Sequence, residues 1–242
     1  REPRWGRVAE TFGEDAYLNS EIGTAMIKGM QGNDLKSDRS IIAEPKHFAV
    51  HGIPQAGGNS SPILVGERSA REDHLPSFRK AFTKGGALGT MCAYSELDGI
   101  PCAANHWLLT DVLRKEWGFN GFVVTDYTAI NELVPHGFAK DEKHAAQLAL
   151  EAGVDMDMMS GANRLYLKEL VKENKIDESL IDEACKRILL AKYKLGLFDD
   201  PYKYTESKRA QKEVISPKQL EAARTISANS MVLMKNDKQV LP

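Results

Sequence analysis

Three polar groups recur at equivalent places along the chain. Lys46-His47 follow the apolar run Ile41-Ile42-Ala43, Tyr94 closes the run from Leu88 to Ala93, and Asp126 closes Phe122-Val123-Val124-Thr125. A carboxylate accompanied by cations and a phenol is suited to nucleophilic or acid–base work on a polar substrate, and the neighbouring cations favour its ionised form. Near the start of the chain, Arg1, Arg4 and Arg7 surround Trp5 and Gly6 and add further positive charge. Each residue also has a plain alternative. An Asp after a buried strand often caps the next helix. Lys46 reads equally as a surface lysine, His47 as a satisfied histidine near the core and Tyr94 as a packed ring tied to the backbone. The arginines could form an exposed basic turn.

The elements that must carry these groups follow from apolar patterning. Residues 41–43, 88–93, 122–125 and 154–158 are short apolar runs of the kind buried on both faces of a parallel sheet. They recur at roughly the length of one βα unit plus insertions. Helices fit between them. Asn105 can cap one that runs to Trp117 and stops at Gly118; Ala145, Leu148, Ala149 and Ala152 form an apolar face before Gly153; Asp177 can cap a third with the face Leu180, Ile181, Ala184, Ile188 and Leu195, ending at Gly196. Repeated βα units mean a doubly wound sheet or a barrel. A complete (β/α)8 TIM barrel takes about 250 residues and eight strands, and its active site lies at the C-terminal strand ends. About four strands precede Asp199, so residues 1–200 are expected to be part of such a barrel, truncated at its N-terminus. Residues 201–242 are expected to be a linker and the start of a second α/β domain, with a helix from Ser216-Pro217 through Asn229 and a strand at Met231-Val232-Leu233-Met234.

Composition narrows the function classes. The chain has 242 residues, 42% of them hydrophobic and 27% charged, with a mean hydropathy of −0.38, which suits a globular protein with a sizeable core. Its 32 Lys plus Arg against 34 Asp plus Glu give a net charge of −2, which disfavours a general nucleic-acid-binding surface. No run approaches the ~18 apolar residues of a spanning helix, so no membrane segment is expected. Cys92, Cys102 and Cys185 are too few and too scattered for a disulfide framework or zinc ribbon. One pair could still bridge. Both ends read as cut from something longer, so the lack of a leader carries no information about secretion.

Several ordered motifs go further. Arg1-Glu2-Pro3-Arg4-Trp5-Gly6-Arg7, Lys46-His47-Phe48-Ala49, Met91-Cys92-Ala93-Tyr94 and Gly121-Phe122-Val123-Val124-Thr125-Asp126-Tyr127 occur in the order and spacing of family 3 glycoside hydrolases. Gly196-Leu197-Phe198-Asp199-Asp200-Pro201 and residues 229–236 resemble the end of that family's barrel and the entry to its second, α/β sandwich domain. The likeness covers essentially the whole chain and is nearest to bacterial β-glucosidases of the periplasmic type. It implies a retaining, exo-acting β-glycosidase that removes terminal β-D-glucosyl units from oligosaccharides or glycosides without a cofactor or metal. Asp126 would be the nucleophile. Arg7, Lys46 and His47 would bind the sugar in subsite −1, with Met91 and Tyr94 lining the pocket. The acid/base Glu would come from a C-terminal domain beyond Pro242, and a further sugar-gripping Asp from upstream of Arg1. A periplasmic or secreted bacterial location is implied, and a homodimer is left open. A β-xylosidase of the same family and an inactive carbohydrate-binding fragment are the alternatives.

Other signals count for less. In bacterial β-N-acetylglucosaminidases of the same family the acid/base is a His paired with Asp in the loop after Lys-His. Here that loop, residues 50–61, lacks the Asp-Ser-His element, and His51 sits too early to replace it, so His51 reads as a loop residue. His47, His51, His74 and Asp126 could suggest a metal hydrolase, but Gly52-Ile53-Pro54 breaks any helix that would set His47 and His51 on one face. Gly85-Gly86 lacks the Gly-x-Gly-x-x-Gly pattern of a dinucleotide site. Trp107 and Trp117 read as packing residues, Glu67, Arg68, Arg71 and Glu72 as salt bridges along one helix, and Glu96 and Glu132 as solvated loop acids.

Overall fold

Short buried segments line up side by side in the order in which the chain delivers them. The structure, a computed structural model, describes residues 2–239; Arg1 and residues 240–242 lie outside them. Strand β1 (Gly89–Met91) opens the polar site, a hairpin of β2 (Glu96–Leu97) and β3 (Ile100–Pro101) follows, and β4 is Phe122–Val124. β1 and β4 pair in parallel, Gly89 opposite Phe122 and Met91 opposite Val124. Two isolated parallel bridges, Phe48 with Cys92 and Val124 with Met156, extend the array on either side. The spatial order is therefore the segment at 48, β1, β4 and the segment at 154–156.

Two expected strands take a different form. Residues 41–43 are extended but join no ladder: Ile41 N–H donates to the Met30 carbonyl and Ala43 N–H to Gln31 Oε1, and the following Pro45 has no N–H to give. Residues 154–158 contribute a single bridge in place of a strand. The β2–β3 turn at Asp98-Gly99 has positive φ at both residues, 52° and 84°, the geometry that a two-residue hairpin with right-handed strand twist requires. At Gly121 a Cβ would collide with the Leu88 carbonyl, so only glycine lets β4 enter beside β1.

Helices make up most of the regular structure. The longer ones up to residue 199 are α1 (Ala16–Gln31), α2 (residues 67–83), α3 (Trp107–Glu116), α4 (Glu142–Ala152), α5 (Ala162–Lys172) and α6 (Glu178–Lys194). The middle of α2, Ala70–His74, and all of α3 are wound with π-type hydrogen bonding. The expected caps are present. Asn105 Oδ1 accepts from Leu108 N–H, and Asp177 Oδ1 from Ser179 N–H. Gly118, Gly153 and Gly196 follow α3, α4 and α6 with positive φ. On α4 the residues Ala145, Ala149 and Ala152 are buried as expected. The apolar residues of α6 are less covered: Ala184 is buried, while Leu180, Leu189, Leu190 and Tyr193 are exposed. No described helix is long and apolar enough to cross a membrane.

The core lies between the parallel segments and the helices. Phe48, fully buried, sits edge-on to Phe78, Phe82 and Trp117, with ring centroids 5.2–6.0 Å apart, and Phe82 packs on Phe119 at 4.6 Å. Trp117 is thus a packing residue. Beside it lies a buried charge cluster. Asp155 accepts from Arg114 Nη2 (2.6 Å), Arg187 Nη1 (2.7 Å) and Val123 N–H (2.8 Å). Arg114 also donates to the carbonyls of Gly121 and Gly153. One carboxylate thereby ties β4 to α3, α6 and the segment that follows α4.

The chain divides into two compact units, one ending at Asp199 and the other starting at Asp200. In the second, α7 (Ser207–Glu213) and α8 (Pro217–Asn229) are the regular elements. Helix α8 covers the expected span. Residues 231–234, expected as a strand, are irregular, and no other strand of that unit lies among the described residues to pair with them.

Candidate active site

The segment ends place their polar groups around Asp126, just beyond β4. Asp126 Oδ1 accepts from the N–H of Tyr127 at 2.7 Å. Oδ2 lies 3.2 Å from His47 Nε2, and the Asp126 and His47 side chains are only 14% and 5% exposed. That contact lacks the alignment of a hydrogen bond, so Oδ2 is buried with no hydrogen-bond partner among the described residues. Burial acts to raise the Asp126 carboxyl. The His47 contact, the Tyr127 N–H and the Arg7 charge outweigh it and hold the group below the ordinary carboxylate range. The result is an ionised carboxylate with one oxygen anchored and the other uncommitted.

Arg7 reaches the site through His47. Arg7 Nη2 is 3.2 Å from His47 Nε2, so the ring nitrogen sits between a guanidinium and a carboxylate at equal distance. It can accept from Arg7 or, carrying a proton, face Asp126, but not both at once. Arg7 is itself held by Glu10 through two bonds of 2.8 and 2.9 Å. That (i, i+3) pair is the visible local signal for Glu10, which the motif reading passed over. The Tyr94 hydroxyl donates to the Tyr127 carbonyl at 2.5 Å. Burial first, then the Asp126 charge, pushes its phenol up to about 12, so it stays a neutral donor. Lys46 makes no hydrogen bond or ion pair among the described residues. It lines a cavity of about 100 Å³ with Trp5, Glu10, Thr11, His47, His51 and His74. Met91, half-buried at the end of β1, contributes its carbonyl, which accepts from Phe48 N–H at 2.8 Å. Of the six residues singled out, Asp126, His47, Arg7 and Tyr94 thus meet directly or through Tyr127, Lys46 lines the adjoining cavity, and Met91 supports the array from its backbone.

Two residues depart from the sequence reading, and Trp5 is a third that the motifs left without a role. His51 lies in a loop but is 3% exposed. Glu96 is no solvated acid: its Oε1 lies 2.6 Å from His136 Nδ1, and both side chains are mostly covered. This contact joins the hairpin after β1 to the loop after β4. Trp5 is buried, with its Nε1 donating to Asn59 Oδ1 at 3.1 Å. No local pattern announces either partner, because each pair is far apart in sequence. The three cysteines are free thiols, with Cys92 and Cys102 buried. Among the described residues no three His, Cys, Asp or Glu side chains are grouped to hold a metal ion.

Comparison with known proteins gives this geometry a family. The model of the glycosyl hydrolase family 3 N-terminal domain matches residues 1–191. The chain is 39% identical over its whole length to the periplasmic beta-glucosidase of Salmonella typhimurium, of which it spans 32%. It is 38% identical to a putative beta-xylosidase of Formosa agariphila, again over the full chain and 32% of the relative. The crystal structure of beta-glucosidase from Listeria innocua superposes over the whole chain with a TM-score of 0.96 at 40% identity and 34% coverage of that protein. Further structures of the Listeria innocua protein hold glucose and, in a mutant, laminaribiose. The chain therefore spans about a third of the length of the relatives it matches.

Proposed function

The chain belongs to glycosyl hydrolase family 3, and from that premise we propose that it carries the nucleophile side of a retaining, exo-acting β-glycosidase. The observation that carries this reading is the state of Asp126: ionised, anchored by one oxygen and buried with the other free. Retaining glycosidases need such a carboxylate. Oδ2 attacks the anomeric carbon, the bond to the leaving oxygen breaks, and that oxygen takes a proton from an acid. Water then attacks the glycosyl ester, gives up its proton to the same group and restores the carboxylate. The acid is a Glu supplied from outside this chain, in keeping with a chain that covers a third of its relatives.

Arg7, Lys46 and His47 supply charged donors for sugar hydroxyls, which are directional and strong in a partly dry site. Tyr94 and Met91 line the same pocket near the nucleophile. The four parallel segments belong to a (β/α)8-type barrel that the rest of the protein completes, and residues 201–242 lead into a second α/β domain. The substrate is a terminal β-D-glucosyl unit, as the glucose complex of the Listeria innocua enzyme suggests. The relative from Formosa agariphila favours a second reading, a β-xylosidase. The Salmonella relative favours a periplasmic or secreted location.

An activated 2-fluoro-β-glucoside tests the reading, because fluorine slows breakdown of the glycosyl-enzyme by destabilising its oxocarbenium-like transition state. After incubation with the full-length enzyme, peptide mapping by mass spectrometry is expected to find the label on Asp126. A label elsewhere, or none in an enzyme that hydrolyses glucosides, overturns the assignment. Labelling by the 2-fluoro-xyloside alone selects the second reading.

A further inference from the structure

His51 is a buried imidazole to which the reaction as described gives no part. Its Nδ1 lies 3.0 Å from Ser95 Oγ, and Ser95 is fully buried. One face of its ring meets His47 with centroids 4.5 Å apart at 49°, and Trp5 stands edge-on to it at 5.2 Å and 89°. Nε2 is buried without a hydrogen bond among the described residues. The layers therefore run Trp5, His51, His47, Asp126, and Ser95 pins the second of them to the loop that follows β1.

The fork at His47 needs such a support. Its Nε2 sits at equal distance from Arg7 and Asp126, so a modest rotation of the ring decides which of them it serves. The electrostatic contact with Asp126 falls off as that separation grows. A neighbour that repels a proton is also the right neighbour here, because a third cation would repel His47 and Arg7 and compete with them for Asp126. Burial first, then the charges of His47 and Arg7, push the His51 imidazole down to about 4, against the opposing pull of Asp126 and Asn59. It is a neutral ring at any pH well above 4.

Resting on the assignment of Asp126 as nucleophile, we infer that His51 is a positioning residue: clamped by Ser95 and wedged against Trp5, it fixes the ring plane from which His47 addresses the nucleophile. The groups facing Asp126 are Arg7 from the N-terminal loop, His47 and His51 from the segment after residue 45, and Tyr94 and Cys92 from the end of β1. His47 is the one whose placement His51 controls. Loosening it weakens the contact that keeps the Asp126 carboxyl low, so the acidic limb of kcat/KM moves to higher pH.

The test uses the full-length enzyme with Ser95→Ala and His51→Ala beside Asp126→Asn, and an aryl β-glucoside or β-xyloside, whichever it cleaves. Expected for Ser95→Ala is a loss in kcat/KM of at least about threefold, with the acidic limb displaced upward by about half a pH unit. His51→Ala should lose at least about tenfold, with the same displacement. A purely structural residue would lower the melting temperature and leave the limb where it was. Folded variants with the wild-type limb and kcat/KM within about twofold of wild type overturn the inference. If His51→Ala does not fold, Ser95→Ala alone decides. Asp126→Asn separates the two claims: an inactive Asp126→Asn with unaltered Ser95 and His51 variants removes this inference only, whereas an active Asp126→Asn removes the reading of the site on which it rests.

Discussion

Two carboxylates, the part-buried Asp126 and the buried Asp155, lie on neighbouring parallel segments and have opposite fates. Asp155 is saturated: two guanidinium groups and a main-chain N–H take up its oxygens. Burial is nevertheless the largest influence on it and pushes its carboxyl up, the usual cost of taking an ion pair out of water. Asp126 has one firm hydrogen bond and a skewed contact, yet its carboxyl is held low. The difference separates two uses of the same side chain. A carboxylate whose lone pairs are all spoken for holds elements together, and one with an uncommitted oxygen can form a new bond.

The sharpest way to break the comparison is to remove each charge in turn from the full-length enzyme. Asp126→Asn should lower kcat by about 10⁴-fold or more, since it removes the bond-forming atom itself. It should leave the unfolding midpoint near wild type. Steady-state rates together with a urea titration check both halves, and a variant that turns over normally or unfolds early would erase the contrast. Asp155→Ala should do the reverse. Stranding Arg114 and Arg187 costs about 3–5 kcal/mol of stability, while activity per folded molecule persists. Equilibrium unfolding measures this, and a loss under 1 kcal/mol would show that the cluster does not hold β4 to its helices.

A smaller effect comes from pH. His51 has an ordinary value of 6.5 and is pushed down to about 4 in the folded protein. Between those values the unfolded chain binds a proton that the folded one refuses, so stability is full above 6.5 and falls as the pH drops toward 4. One group with this shift contributes about 2–3 kcal/mol to that decline. Asp126, held low when folded, adds to the loss only at still lower pH. Stability curves at a series of pH values should therefore be flatter between 6.5 and 4 for His51→Phe than for wild type. Parallel curves would mean that the ring is protonated as readily as in solution.

How legible all this was depended on distance along the chain. Caps and stops are local, so Asn105, Asp177, Gly153 and Gly196 could be read directly as the boundaries of α3, α4 and α6. The polar groups at segment ends were legible because a short apolar run followed by Lys46-His47, Tyr94 or Asp126 is itself a local pattern. The apolar run at 41–43 has the pattern of a strand but joins none, since its N–H groups go to the end of α1, about ten residues upstream. Arg114 and Arg187 gave no sign of their shared partner, because α3 and α6 lie on either side of Asp155 in sequence. His51 reads as a loop residue for the same reason. Its burial comes from Trp5 and Ser95, both more than forty positions away. Long-range pairing leaves no trace in local spacing, and the support beneath a reactive group is made almost entirely of it.

The order of the parallel segments has a consequence for synthesis. Segment 48, β1, β4 and segment 154–156 neighbour one another in the same order in which a ribosome releases them. Each newly exposed run therefore docks on the edge that the previous run has just formed and need not wait for a distant partner. Parallel pairing demands closure of loops roughly thirty to forty-five residues long, which makes such sheets slow to form and exposed to aggregation. Sequential adjacency keeps every closure to the shortest loop that the topology permits, and only one growing edge is left unpaired at the advancing front. Asp126 arrives just after the third of the four segments, when the segments that bring His47 and Tyr94 beside it have already been synthesised.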